Sequence, residues 1–358
     1  MIGSTAPLGL EDTRMPVRPL GRFRSLSSSK VAPLPIATRI RAWRHGFSGW
    51  SWLSLDLDHN DWRAYLPDVA SKAAQKIDGP VARSVLRNKV LFEAVVGRHV
   101  RVPRIYAAIE RGRMTPLADG FDVRDPAELV AWCRDHGGVV IKPVDAAEGR
   151  EVVSLEVVDG EVRLDKRTVT DEAAARKVAS SDGCIVTEMI RQGSFGHAIF
   201  ADAVNTLRVV TMTDVDSGEP FVAVAIHRFG TAKSAPTDNV SRGGLRSGVD
   251  LETGELTFAS ASWTHQRGVG FATHHTHPDS GTRITGTRVP RWDEVKATLE
   301  GLVRRYPMLI YVGWDVVVTD DDLVIIEGNH SPNLATQMYR PYLGDPRIAR
   351  FFRHHGVA

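Results

Sequence analysis

Residues 313–333 read GWDVVVTDDDLVIIEGNHSPN. Three polar side chains, Asp315, Glu327 and Asn329, stand in or just after the apolar runs Tyr311–Val318 and 323–326. Successive side chains of a strand alternate faces, so these odd positions share one face. If 320–322 form the turn, Asp315 and Glu327 stand opposite one another, with Cβ atoms roughly 4.5–5.5 Å apart. Two bare carboxylates that close repel, and burial penalises each of them. A divalent cation removes both costs. Two carboxylates and an amide oxygen, with phosphate oxygens in the remaining positions, suit Mg²⁺, and Mn²⁺ in its place. That combination points to ATP.

Other residues carry chemistry less specifically. Lys142 ends the apolar run GGVVIKP. A buried ammonium there needs an anion such as nucleotide phosphate, although a strand-end lysine also reaches water along its own stem. The next loop, VDAAEGREV, sits where backbone amides cradle phosphates. It has one glycine, Gly149, with Arg150 to supply charge, and an ordinary hairpin loop fits it equally. Glu188, Met189 and Ile190 leave a strand and offer the apolar slot and backbone edge that adenine needs; an ordinary strand exit looks the same. Arg208, inside NTLRVVTM, must meet an anion, either phosphate or acyl phosphate or one of the aspartates. Asp238, Asn239, Arg242, Gly243 and Gly244 form a polar loop of the kind that carries function or merely connects. His274, His275 and His277 lack a second cluster at zinc spacing; His277 reads better as a substrate contact.

These residues need strands and helices to position them. The chain has 358 residues, 42 % hydrophobic and 25 % charged, with a net charge of +2. That is an ordinary globular composition with no field for nucleic acid or membrane. Cys133 and Cys184 fall in apolar runs and read as reduced core residues. No apolar run approaches the ~20 residues of a membrane span, and the expected compartment is the cytoplasm. Residues 1–36 read as an arm and 37–76 as a helical, tryptophan-rich region. A helix from residue 78 carries RSVLRNKVLFEAVVGRH. Helices are expected at Pro126–His136, Asp171–Ala179 and near 292–306, and a hairpin around Asp159 and Gly160. The stretches 234–254 and 264–288 read mainly as loops. The whole suggests α+β layering, divided as 1–77, 78–140, 141–195 and 196–358.

On RNKVLF, VVIKP, VTEMIRQ, VNTLRVVT, DNVSRGG and the 313–333 segment, the chain resembles the ATP-grasp superfamily. More closely, it looks like the sugar-transfer-associated ATP-grasp branch, over about residues 78–345. The resemblance implies two α+β lobes holding ATP between antiparallel sheets, behind a helical N-terminal extension. It implies Lys89 and Lys142 on nucleotide phosphates, and Glu188, Met189 and Ile190 as the adenine hinge. Gln192 would face the ribose, and Arg208 the phosphate or reacting acyl group. Asp315, Glu327 and Asn329 would hold Mg²⁺. The glycine-poor loop with Arg150 departs from the usual pattern. The expected reaction is ligation of a small carboxylate to an amine, or to another nucleophile, through an acyl phosphate. Arg228, Asn239 and Arg242 would orient the carboxylate. The alternatives are a kinase acting on a sugar or alcohol, and a non-catalytic ATP-binding protein of a polysaccharide or natural-product pathway. Homodimerisation is left open.

Overall fold

The computed structural model describes residues 35–145, 152–265, 268–330 and 332–358. The N-terminal arm up to residue 34 and Arg150, with the centre of its loop, lie outside the described residues. The tryptophan-rich region holds three short helices, α1 (Ile36–Arg44), α2 (Gly49–Ser54) and α3 (Ser71–Ala74). Ser48 caps α2 by accepting from the Ser51 amide. Phe47, Trp52, Leu55, Leu57 and Tyr65 bury into a small core of their own.

The helix expected from residue 78 is two helices, α4 (Pro80–Arg87) and α5 (Lys89–Val96). Asn88 makes the break. Its backbone is extended (φ −87°, ψ 113°), and its side chain accepts from the amides of Val90 and Leu91. That is ordinary N-cap chemistry, and it makes Lys89 the first residue of α5.

The first sheet contains β1 (Ile105–Glu110), β2 (Arg113–Pro116), β3 (Gly138–Pro143), β4 (Val153–Val158), β5 (Glu161–Leu164), β6 (Arg167–Thr168) and β7 (Cys184–Glu188). Their order is β2-β1-β7-β3-β4-β5-β6, and every pairing is antiparallel. Two helices, α6 (Pro126–His136) and α7 (Asp171–Ala179), bury Leu129, Cys133, Ala174 and Val178 in the core beneath it. Asp159 and Gly160 turn the β4–β5 hairpin with φ of 53° and 81°, as a two-residue hairpin loop of this hand requires. The expected division at 140/141 falls inside β3, in the middle of this sheet.

A short helix, α8 (Ser194–Ile199), leads into β8 (Thr206–Thr213), β9 (Pro220–Phe229), β10 (Leu245–Val249), β11 (Leu256–His265) and β12 (Gly268–His274). Then follow α9 (Trp292–Arg305), β13 (Tyr311–Val318), β14 (Leu323–Asn329) and α10 (Pro346–His354). The second sheet is ordered β12-β11-β10-β9-β8-β13-β14. Two of its strands, β10 and β12, occupy stretches expected as loop. LRSGV has little intrinsic strand preference, but pairing between β9 and β11 buries all five residues, and sheet context overrides propensity.

One face of the second sheet packs on α9 through Leu207, Val209, Trp314 and Val316. On the other face α10 covers Val210, Met212 and Tyr311. Farther along, that face carries Arg208, Arg228, Asp315 and Glu327. Among the described residues no helix is long and apolar enough to cross a membrane.

Candidate active site

Asp315 and Glu327 are direct partners across β13 and β14. The loop joining these strands has four residues, because Val318 pairs with Leu323. A regular ladder from that turn would place Ile326 opposite Asp315. Instead the register shifts by one between Asp315 and Val316. The result is a β-bulge in which two residues of one strand oppose one of the other. The bulge brings both Ile326 and Glu327 to the level of Asp315. Ile326 lines the cleft between the sheets, and Glu327 faces Asp315.

Asp315 is 3 % exposed and held by two arginines. Arg208, its partner on β8, donates from Nε to Oδ1 and from Nη2 to Oδ2, the latter at 2.9 Å. Arg228 Nη2 lies 3.0 Å from Oδ2. Burial works against ionisation of Asp315, but these two guanidinium groups outweigh it and hold its carboxyl below the usual range. Glu327 goes the other way: burial, then the negative Asp315, push its carboxyl up. Neighbouring carboxylates whose affinities for protons are driven apart belong at functional sites.

The two lysines reach the cleft from elsewhere. Lys142 ends β3 and lines the cleft with Lys89, Glu93, Ile185 and Thr187. Burial lowers its pKa to about 8, with Glu327 opposing and Lys89 reinforcing the shift. Burial also lowers Lys89, again against Glu327. Lys89 occupies the positive end of α5, where a cation is disfavoured. Its amide donates to Val144 O at 3.1 Å, tying α5 to the end of β3. Two lysines and two arginines thus converge on one pair of carboxylates.

Glu188 ends β7, where Arg101 Nη2 donates to it at 2.8 Å and the Arg104 amide at 3.3 Å. Ile190 packs with Val317, Val324 and Ile326 on the hairpin. Met189 lies against Gly138, where a Cβ would come within 2.9 Å of its terminal methyl. This segment passes from the first sheet to the second.

Gln192 is placed differently from expectation. Its Nε2 donates to Phe200 O at 2.9 Å, and its Oε1 accepts from the amide and side chain of Asn205, each at 2.9 Å. That amide latches α8 to β8, with both acceptor positions of Oε1 and one hydrogen of Nε2 already engaged. Asn239 caps its own turn by accepting from the Ser241 amide, and Arg242 is exposed. The loop residue that reaches the site is Asp238. It accepts from the amide and hydroxyl of Thr206 and lies 3.3 Å from Arg228 Nε. His277 is buried and bonds Gly230 O at 2.7 Å, which makes it a structural clamp. Sequence reasoning passed over Ile326 and Glu93, and named Asp238 only as part of the polar loop. Ile326 had one signal: a four-residue turn puts Glu327 on the wrong face unless the strand bulges.

Among the described residues no three His, Cys, Asp or Glu side chains are grouped to hold a metal. The set here is two carboxylates and an amide. Asn329 Nδ2 points to Gly313 O and Glu327 Oε1, both at 3.3 Å, which leaves its oxygen for a cation. Each carboxylate oxygen accepts about two bonds. Asp315 Oδ2 takes Arg208 and Arg228, Oδ1 takes Arg208 Nε, and the Asp315 and Glu327 carboxyl groups are hydrogen-bonded to each other. The two carboxyl groups thus meet face to face, with the Asn329 side chain beside Glu327. The donors are hard oxygens, as Mg²⁺ requires, and the residues fit it.

A family model described as sugar-transfer associated ATP-grasp matches residues 71–343. No curated protein matches the chain. Among solved structures, D-alanyl-alanine synthetase A from Vibrio cholerae is 9 % identical with a TM-score of 0.46, over 78 % of this chain and 66 % of its own. The ADP complex of N5-carboxyaminoimidazole ribonucleotide synthetase is 13 % identical, with a TM-score of 0.41, over 73 % and 52 %. The ATP-grasp ligase PsnB, with a precursor variant, Mg and ADP, is 12 % identical, with a TM-score of 0.40, over 78 % and 60 %. The chain spans about half to two thirds of the length of these proteins.

Proposed function

The chain belongs to the sugar-transfer associated ATP-grasp family, and from that premise we propose that it is an ATP- and Mg²⁺-dependent ligase. It would join a small carboxylate to an amine, or to another nucleophile, with release of ADP and phosphate. The observation that carries this reading is the Asp315–Glu327 pair, faced by Lys89, Lys142, Arg208 and Arg228 in a cleft between two sheets.

Asp315, Glu327 and Asn329 would hold Mg²⁺, which when bound neutralises charge on the transferring phosphoryl group. Lys142 and Lys89 would bind the phosphates as fixed positive charges. Met189 and Ile190 would take adenine against Ile326, with Glu188 fixed by Arg101 at the edge. The substrate carboxylate oxygen attacks the γ-phosphorus and ADP leaves, giving an acyl phosphate. The amine nitrogen then attacks the carbonyl carbon, the C–O bond breaks, phosphate leaves with its electron pair, and the nitrogen loses a proton. Positioning and charge do most of this work. Arg208 stands where it can pass from Asp315 to the acyl phosphate, and Arg228 beside it can orient the carboxylate.

The test is ADP release across a matrix of carboxylates and amines with Mg²⁺ present. Release that needs one of each supports ligation. Release driven by a hydroxyl compound alone, with a phosphorylated product, would instead make this a kinase.

A further inference from the structure

Arg246 lies in the middle of β10 and is 4 % exposed. It stands directly opposite Arg228 on β9 and Ser260 on β11. Directly opposed residues point to the same side of a sheet, so Arg246 shares the face that carries Arg208, Asp315 and Glu327. The other two arginines of this face have carboxylates: Arg208 has Asp315, and Arg228 has Asp238 and Asp315. Arg246 has no ion pair among the described residues. Its Nε reaches Ser260 Oγ at 3.3 Å, its guanidinium lies 5.5 Å from the Trp50 ring centre, and its buried Nη2 has no acceptor among the described residues.

A buried guanidinium with an orphan N–H is costly to keep. Its surroundings resemble a closed subsite. Tyr339 Oη donates to Arg246 O at 2.5 Å and bonds Ser260 Oγ at 3.1 Å. Its ring lies so close to Gly248 that a Cβ there would meet it at 2.6 Å. Trp50, carried on α2, closes over the guanidinium. Three strand spacings separate β10 from β13, which puts Arg246 roughly 15 Å from Asp315.

We infer that Arg246 binds a second anionic group of the substrate, a carboxylate or a phosphate, beneath a roof formed by Trp50 and Tyr339. The substrate is then an elongated acid with two anionic groups on the order of 10–15 Å apart, rather than a simple amino acid. Which of the two groups reacts rests on the ligase reading; the anion site at Arg246 does not.

Thermal unfolding of the full chain tests this without ATP. Wild type, Arg246→Met and Lys142→Met are compared at constant ionic strength, in glutarate and in inorganic phosphate. Arg246→Met removes the uncompensated charge, so its Tm without added anion should equal or exceed wild type by roughly 2 °C. The anion that fits should raise the Tm of wild type and of Lys142→Met, and leave Arg246→Met unmoved. Glutarate alone acting identifies a carboxylate; phosphate alone acting identifies a phosphoryl group. Equal shifts in all three proteins, no shift in any, or a shift lost only in Lys142→Met would overturn the inference. So would an Arg246→Met protein that is strongly destabilised or insoluble, since that would make the guanidinium a structural tie.

Discussion

Asp315 and Glu327 face each other, yet only Asp315 is gripped by arginines, and this asymmetry separates their roles. Asp315→Asn would leave Arg208 and Arg228 buried without their shared anion. Loss of one partner of a buried pair costs about 3–5 kcal/mol, so this variant should unfold at a clearly lower temperature. Glu327→Gln removes a carboxyl that burial already strains. It should keep or raise the Tm while ATP turnover falls by about 100-fold or more. Thermal unfolding and ADP release on the two variants check this; equal destabilisation would refute it. Lys142 carries its own signature. With burial holding its pKa at about 8, it is charged at pH 7 and largely neutral at pH 9. ATP binding favours the charged form, so affinity should weaken several-fold as pH rises through that value. Arg stays charged throughout, and calorimetry on Lys142→Arg should show a flatter profile.

At the scale of elements, the hairpin was legible because apolar strands with three polar intruders leave few other readings. Its register at Asp315 and Glu327 was legible too, but the cause was not: a symmetric turn at residue 321 and a four-residue turn with a bulge give the same pair. Strand β10 was hidden because Arg246, Ser247 and Gly248 look like loop and become strand only between two neighbours. Gln192 and Asn239 carry amides suited to a ligand; the structure engages the Gln192 amide between α8 and β8, and the Asn239 oxygen in its own turn at the Ser241 amide and hydroxyl. Asp78, just ahead of α4, accepts from the amides of Ile310 and Tyr311, each at 3.0 Å, and so ties α4 to the start of β13. Burial, opposed by those amides and by Arg83, raises its carboxyl to about 7. A raised folded pKa means that this stabilisation is full below the ordinary carboxylate range and is lost as pH rises through about 7. Asp78→Asn keeps an acceptor for both amides and has no charge to bury. Its stability should therefore gain on wild type between pH 5 and pH 8 by an amount on the order of 2–4 kcal/mol, seen as a widening Tm difference. Parallel Tm profiles for the two proteins would contradict that.

At the scale of the molecule, two sheets meet at a cleft that receives a lysine from a helix N-terminus, a lysine from a strand end and carboxylates from a bulged hairpin. No single stretch of sequence contains that site; its parts lie between Lys89 and Asn329. The central claim is that a substrate carboxylate becomes an acyl phosphate in this cleft. Transfer of ¹⁸O tests it most directly. A carboxylate that supports ADP release is labelled with ¹⁸O and turned over with its amine, and the released phosphate is analysed by mass. Phosphate carrying ¹⁸O from the carboxylate is the expected result; unlabelled phosphate at full turnover would contradict the account.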